Sequence, residues 1–216
     1  MKRRLKRMSR EFWEERYGNA EFVYGKLPNK YFKEKIDELS IGKALFAAEG
    51  EGRNAVYAAS LGWEVTAFDQ SLSAKIKALK LAENNKVSID YLVSDLSNFN
   101  YKSTSFDLLV LIFAHFPEEK RRIYHRQLTQ TIRKGGYIIL EAFSKNHINN
   151  QKENPKVGGP KNADMLYDLG EIKEDFQNFE FLEAYETETE LNEGKHHKGK
   201  GSVIRILAKK MNEINW

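Results

Sequence analysis

Apolar residues over 43–48 (KALFAA) run together without helical spacing, which predicts a strand buried on both faces. Gly50 and Gly52 follow, one residue apart, where the chain must turn sharply. Over 53–61, Ala55, Val56 and Ala59 share one helical face, and Gly62 is placed as the helix stop. A second strand is predicted over 63–68, with Asp69 at its C-terminal end. The order is strand, glycine turn, helix, strand, acid, and the rest of the chain can be placed around it.

Upstream, residues 11–17 predict a short helix with Phe12, Trp13 and Arg16 near one side. An aromatic-rich loop over 18–27 follows, and Pro28 opens a helix running to about residue 39 with Tyr31, Phe32 and Ile36 inward. These aromatics fit core packing and a pocket wall equally well. Downstream, Ser71 caps a helix with Leu72, Ile76 and Leu79 as its inward stripe and lysines outside. Residues 87–93 read as a third strand with Ser94, Asp95 and Leu96 at its tip, and 105–113 (SFDLLVLIF) as a central fourth. His115, Phe116 and Pro117 then open a helix with Tyr124, Leu128 and Ile132 on one face. Lys134, Gly135 and Gly136 turn into a fifth strand over 137–143. Strands alternating with helices predict an open, mostly parallel α/β sheet with right-handed crossovers.

The pattern breaks over 144–163, a polar, asparagine-rich stretch with Pro155, Gly158, Gly159 and Pro160 that reads as a lid or a disordered segment. A helical region over about 164–176 and two strands, 179–191 and 202–209, complete the chain. Only 192–201 separates the last two, too few residues for a crossover, so they should pair antiparallel.

Composition narrows the field. With 216 residues, 41% hydrophobic and 12% aromatic, the chain can bury a full core. Cysteine is absent, which excludes disulfides, thiolate metal sites and a cysteine nucleophile and suits a cytoplasmic location. No apolar run is long enough to span a membrane, and no signal-peptide core follows the basic start. Six of the 35 basic residues (Lys2, Arg3, Arg4, Lys6, Arg7 and Arg10) lie within residues 1–10, so the remaining 29 face 31 acidic ones. The net charge of +4 therefore belongs to a terminal arm. Such an arm is either a solvated tail or a contact for nucleic acid or an acidic partner.

The glycine turn carries the chemistry. Glycine lets backbone approach a ligand closely, and the first helical N–H groups point at whatever lies there. An acid at the next strand's tip can hold the two hydroxyls of a ribose. Both features imply a nucleoside-like cofactor, against the alternative of a plain tight turn. The spacing Gly50-x-Gly52-x-x-Ala55 also fits a dinucleotide fingerprint. Glu49 and Glu51 oppose that version, because carboxylates would repel a pyrophosphate yet tolerate a cofactor carrying an amino group and a positive centre.

Together these residues resemble the class I S-adenosylmethionine-dependent methyltransferases, in particular the small bacterial tellurite-resistance branch, over about 11–210. The resemblance rests on Trp13, Tyr17, Tyr24, Gly25, Pro28 and Asn29 before the sheet, GEGRNA at 50–55, Asp69, Asp95 with Leu96, and Phe106-Asp107-Leu108. The Lys134-Gly135-Gly136 turn and the closing Glu193, Gly194, His197, Gly199 and Val203–Ile204–Arg205 belong to it too. It implies a Rossmann-like seven-stranded sheet with the last strand reversed, helices on both faces, an N-terminal helical cap over 11–40 and a lid over 145–163. Residues 1–10 and 211–216 are then an arm and a tail flanking a single domain. The implied cofactor is S-adenosylmethionine, leaving as S-adenosylhomocysteine. It would be held by Tyr17, Tyr24, Ala48, Glu49, Gly50, Gly52, Asn54, Asp69, Gln70, Ser71, Asp95, Leu96 and Phe113. The chain departs from the family where an acid and a glycine are usual, carrying Phe46 and Ala48 instead.

Methyl transfer from a sulfonium is an in-line displacement in which the protein holds donor and acceptor in line and excludes water. His115 is the candidate base or substrate contact, the alternative being a packing residue. Arg53 and Arg205 are candidate contacts for an anionic substrate, the alternative being surface ion pairs. Strand four ends Ala114-His115-Phe116-Pro117, which lacks the Asn/Asp-Pro-Pro-aromatic signature of amino-group nucleic-acid methyltransferases. Covalent cytosine chemistry has no cysteine to use. The expected acceptor is therefore a small molecule such as a thiol or a chalcogen oxyanion, with nucleic acid disfavoured and the protein a monomer or homodimer. His196 and His197 would face opposite ways in a strand, so no metal is expected. Two readings compete: a nicotinamide-dependent oxidoreductase, and a non-catalytic binding module on the same fold.

Overall fold

In the computed structural model, which describes residues 10–99 and 105–211, the chain alternates helices and strands around one sheet. The helices are α1 (Arg10–Tyr17), α2 (Lys30–Ile36), α3 (Arg53–Ser60), α4 (Leu72–Asn84), α5 (Glu118–Gln130), α6 (His147–Glu153) and α7 (Leu169–Asp175). The strands are β1 (Lys43–Ala47), β2 (Glu64–Asp69), β3 (Asp90–Val93), β4 (Phe106–Ile112), β5 (Ile132–Phe143), β6 (Phe179–Glu193) and β7 (His197–Lys210). Most of the basic arm and of the tail, residues 1–9 and 212–216, lies outside the described residues.

The seven strands run in the order β3-β2-β1-β4-β5-β7-β6. The first five pair parallel, and β7 is antiparallel to both β5 and β6. The Rossmann-like expectation, with its reversed last strand, is met. Buried strand residues alternate between two cores. Phe46, Leu108, Val110 and Ile139 face one that α2, α3 and α4 cover, while Leu45, Leu109, Leu111 and Ile138 face one under α5 and α7. This accounts for the unbroken apolar runs of β1 and β4.

Four local expectations need correction. On α4 the stripe Leu72, Ile76 and Leu79 is outward, at 49, 60 and 39% exposure, and the buried face is Ala74, Ala78, Leu81 and Ala82. Small side chains win there because α4 packs close to the glycine turn: a Cβ on Gly52 would lie 2.5 Å from that of Ala78. Ile132 belongs to β5, not to the preceding helix. The helix after Pro28 starts at Lys30, because Asn29 is its cap and accepts from the Phe32 N–H, and it ends at Ile36. The stretch 144–163 has structure of its own. It contains α6 and a 3₁₀ turn at Pro155–Val157, and a second such turn follows at Ala163–Met165. Backbone bonds from Lys145 to Tyr167 and from Tyr167 to Phe143 close its base. His147 and Val157 are buried, and the Ser202 hydroxyl donates to Asn150. Of the two expectations, a lid or a disordered segment, the disordered one is set aside by this packing.

The β6–β7 hairpin turns through Gly194, Lys195 and His196, and this places Glu193 opposite His197. Its tip reaches back to the N-terminal segment, where the Lys195 N–H donates to the Val23 carbonyl.

Candidate active site

The strand order reverses direction between β1 and β4, and in open α/β sheets ligands bind beyond the C-terminal strand ends at such a point. At the tips of these two neighbours stand Ala48 (φ 54°) and Phe113 (φ 53°), both in the left-handed region. Non-glycine residues there are strained, and such strain concentrates at functional sites. A third, Lys86, follows the end of α4.

The glycine turn is tied down from several sides. Gly50 and Gly52 both have positive φ. Asp69, buried at the tip of β2, accepts from Gly50 N–H (3.1 Å) and Ser71 N–H (2.9 Å). Burial pushes its carboxyl up to about 6 despite those bonds. The Glu49 Oε1 accepts from Asn54 and Ala55 N–H, both at 2.9 Å, so the chain's own carboxylate occupies the start of α3. Its carboxyl too is raised by burial, to about 7. A phosphate would have to displace that carboxylate, which argues against a dinucleotide.

Helix α1 lies over this turn. Tyr17 is buried, and a Cβ on Gly50 would meet its hydroxyl at 2.6 Å. Glu14 fixes the helix in place by accepting from the Ser71 hydroxyl (2.6 Å), Ser73 N–H (3.1 Å) and Ser73 hydroxyl (2.5 Å) at the start of α4. Tyr91 donates to the Gly50 carbonyl at 2.5 Å. Glu14 and Tyr91 escaped sequence reasoning, since a helix-surface acid and a strand tyrosine carry no motif.

The remaining candidates divide. Gly50, Asp69, Gln70, Ala48 and Phe113 stand at or beside the strand tips, with Tyr17 against the glycine turn. Leu96 and Phe99 pack on the core, and Phe99 stacks on Phe68 at 4.2 Å. Asp95 spends its Oδ1 on the Ser97 and Asn98 groups of its own turn. Ser71 caps α4 through the Ala74 N–H, as expected. A Cβ on Gly52 would meet Ala78, and the Asn54 Oδ1 accepts from the Asn29 N–H, so each also has a place in the packing of the fold.

His115 lacks a free nitrogen: Nδ1 donates to the Met165 carbonyl (2.7 Å), and Nε2 accepts from Phe143 N–H (3.1 Å). Burial lowers its pKa to about 3. It is a neutral packing residue, not a base. The arginines are committed as well. Arg53 pairs with Glu193 at 2.9 Å and Arg205 with Glu141 at 2.6 Å. Asn29 joins the two pairs by donating to Glu141 (2.7 Å) and Glu193 (3.0 Å). Beside this network the His197 Nδ1 lies 3.1 Å from Glu193 Oε2, and its ring packs on Tyr24, Phe113 and Phe143. Glu141, Glu193 and His197 went unpredicted as site residues, because only strand pairing brings them together. The residues 193 and 197 flanking a glycine-containing turn were the available signal. Tyr24 takes a hydrogen bond from Arg16 at 2.9 Å and bridges α1 to the hairpin.

The donor set suits a nucleoside carrying an amino-acid tail: a carboxylate for ribose hydroxyls, a close-approach glycine, and carboxylates in place of phosphate binders. The fold is that of the class I S-adenosylmethionine-dependent methyltransferases. Residues 44–136 match the methyltransferase domain family. It is 25% identical over 170 residues to the probable S-adenosyl-L-methionine-dependent methyltransferase TehB of Haemophilus influenzae, covering 77% of this chain and 54% of that one. The chain thus spans about half the length of the curated relatives it matches.

Among solved structures, TehB from Haemophilus influenzae superposes with a TM-score of 0.68 at 21% identity, covering 93% of this chain and 66% of that one. A protein solved in work on conversion of a disulfide bond into a thioacetal group during echinomycin biosynthesis gives 0.72 at 16% identity, covering 93% and 92%. The N-methyltransferase NodS from Bradyrhizobium japonicum gives 0.62 at 12%, covering 86% and 100%. These likenesses establish the fold. S-adenosylmethionine is the cofactor that the class implies.

Proposed function

We propose that this chain transfers a methyl group from S-adenosylmethionine to a small-molecule acceptor: a thiol, a chalcogen oxyanion or another small metabolite. The observation that carries the reading is the pair of strained residues, Ala48 and Phe113, at the adjacent tips of β1 and β4. Their strain brackets the crevice where this sheet topology binds ligands. A cytoplasmic location, a monomeric or homodimeric state and a single domain over 11–210 belong to the same proposal. Among the described residues, no helix is long and apolar enough to cross a membrane.

Bound S-adenosylmethionine supplies a methyl group already activated on a sulfonium, so the chain's task is positioning. Asp69 would exchange its bonds to Gly50 and Ser71 for the ribose hydroxyls, and Gly50 admits the close approach. Tyr17 and the stacked Trp13, at 5.3 Å, shield the turn from water. Gln70, Leu96 and Asp95 would flank the nucleoside, and Phe113 would wall the methyl-bearing end.

Calorimetric titration with S-adenosylhomocysteine and, in parallel, NADH tests this. Micromolar binding of the first and none of the second is expected. The reverse would return the nicotinamide reading, and binding of neither would favour a non-catalytic module.

A further inference from the structure

We propose that His197, held by Glu193, is the base that takes the acceptor's proton, and that the acceptor is a neutral nucleophile with a dissociable proton on an aromatic or apolar body. This rests on the methyl-transfer reading above and narrows it.

The hairpin register makes the pair. Glu193 and His197 face each other across the turn, with Nδ1 of the imidazole 3.1 Å from Glu193 Oε2. A carboxylate accepts, so Nδ1 carries the hydrogen and Nε2 keeps its lone pair. Glu193 is itself fixed. Arg53 and Asn29 donate to it, and although burial opposes ionisation, the Arg53 charge and the bonds from His197 and Arg53 hold its carboxyl down to about 2. The carboxylate therefore stays charged and orients the ring.

Nε2 of His197 has no hydrogen-bond partner among the described residues. Its neighbours at the strand tips differ. Both nitrogens of His115 are used, and His147 meets the Gly158 carbonyl through Nε2 (3.1 Å) and Ser202 N–H through Nδ1 (3.3 Å). His125 lies apart, on the buried face of α5 against Phe116 and Phe176. His197 is thus the strand-tip imidazole with a nitrogen to spare.

Its surroundings describe the acceptor. The ring centroid lies 4.6 Å from both Tyr24 and Phe113 and 5.3 Å from Phe143, and Phe113 is the strained residue at the tip of β4. Those rings favour an apolar or aromatic body. Charge points the same way. The guanidiniums of Arg53 and Arg205, the cations bonded to this cluster, are each paired with a carboxylate, so an oxyanion there would also meet Glu141 and Glu193, while Arg16 is bonded to the Tyr24 hydroxyl. The titratable and charged groups facing His197 are Glu193, Arg53, His196, Tyr24, His147 and His115. Burial, the largest influence, lowers the His197 pKa against the pull of Glu193, so the ring is a neutral base at neutral pH.

The step balances. An acceptor X–H gives its proton to Nε2 while the X lone pair forms the bond to the methyl carbon. The carbon–sulfur bond breaks, and its electron pair stays on sulfur as a neutral thioether. His197 then returns the proton to water.

The test uses the full chain, with catechol, aniline, thiophenol and selenite as acceptors. Catechol or aniline should be methylated faster than selenite, with kcat rising with pH along a limb set by one group. His197→Gln should lower kcat for the protic probes by about 10²–10⁴-fold and remove that limb, while the KM for S-adenosylmethionine stays within error. Glu193→Gln, a change at a positioning residue, should shift the limb rather than abolish it. Nitrogen-15 NMR of the wild type bound to S-adenosylhomocysteine should report the Nδ1–H tautomer at His197, a readout independent of how the variants fold. Preference for selenite, transfer to neither catechol nor aniline, unchanged kcat in His197→Gln, or a proton on Nε2 would overturn the proposal. Failure to bind S-adenosylhomocysteine at all would instead overturn the methyl-transfer reading beneath it.

Discussion

The Tyr17 hydroxyl rests against Gly50, so close that a Cβ on that glycine would come within 2.6 Å of it. The residue expected to admit the cofactor is covered by a residue expected to hold it. Since Glu14 pins α1 to the start of α4, the cover is a set of specific bonds. Tyr17→Ala should therefore speed association of S-adenosylhomocysteine and weaken its equilibrium binding, because entry is unblocked while a wall is lost. Stopped-flow fluorescence gives both constants. A slower association would mean that Tyr17 guides entry rather than covering it.

Asp69 is the side chain on which ribose binding depends in this reading. Asp69→Ala should weaken S-adenosylhomocysteine by about 1–3 kcal/mol, the cost of leaving hydroxyls without a charged acceptor. The same change frees the Gly50 and Ser71 N–H groups, so thermal stability should fall too. Calorimetry and a melting curve on one sample separate the effects. Unchanged affinity with a lowered Tm would make Asp69 a structural clamp alone.

The mostly parallel sheet and the antiparallel closing pair were legible because apolar runs, glycine turns and short connections obey topological rules, whereas the count of seven strands came from the family resemblance. The α4 face was misread for a physical reason. A helix seated on a glycine turn needs alanines at the contact, so Leu72, Ile76 and Leu79 were displaced outward while Leu81 stayed buried farther along. Asp69, Gly50 and Ala48 were visible because each ends an element whose direction the sequence announces. Glu193 and His197 were not, since their meeting depends on the hairpin register. His115 was placed correctly, but its hydrogen bonds to Met165 and Phe143 come from segments that no local pattern links to it.

Gly52 tests the same lesson. Its φ is 85°, and an added Cβ would press on Ala78 at 2.5 Å, with backbone at 2.9 Å behind it. Gly52→Val should thus disrupt packing between α3 and α4, at a cost of about 1–3 kcal/mol from crowding and more from the left-handed backbone. Urea denaturation reads it directly. A variant of full stability that failed only to bind cofactor would restore the view that Gly52 lines the ligand path.

Ala48 offers the opposite change. At φ 54° an alanine bears strain of about 1–2 kcal/mol that glycine does not. Glycine gives back about 0.5–1 kcal/mol through its freer unfolded chain. Ala48→Gly should then leave the protein equally stable or up to about 1.5 kcal/mol more so. The turn was already legible as a departure from the family's glycine, and urea midpoints would measure what that departure costs.

Glu49 makes the pH dependence explicit. Burial raises its carboxyl in the folded protein from an ordinary 4.5 to about 7, so between those values the folded state binds more protons than the unfolded one. Stability must then fall as pH rises through that window, and the loss is complete above it. Asp69, raised to about 6, acts in the same direction over a narrower range. Glu49→Gln keeps an oxygen for the Asn54 and Ala55 N–H groups but removes the charge. Its Tm should exceed that of the wild type at pH 8 and approach it at pH 5. A difference independent of pH would mean that Glu49 remains ionised throughout, with the start of α3 stabilising its charge more than burial opposes it.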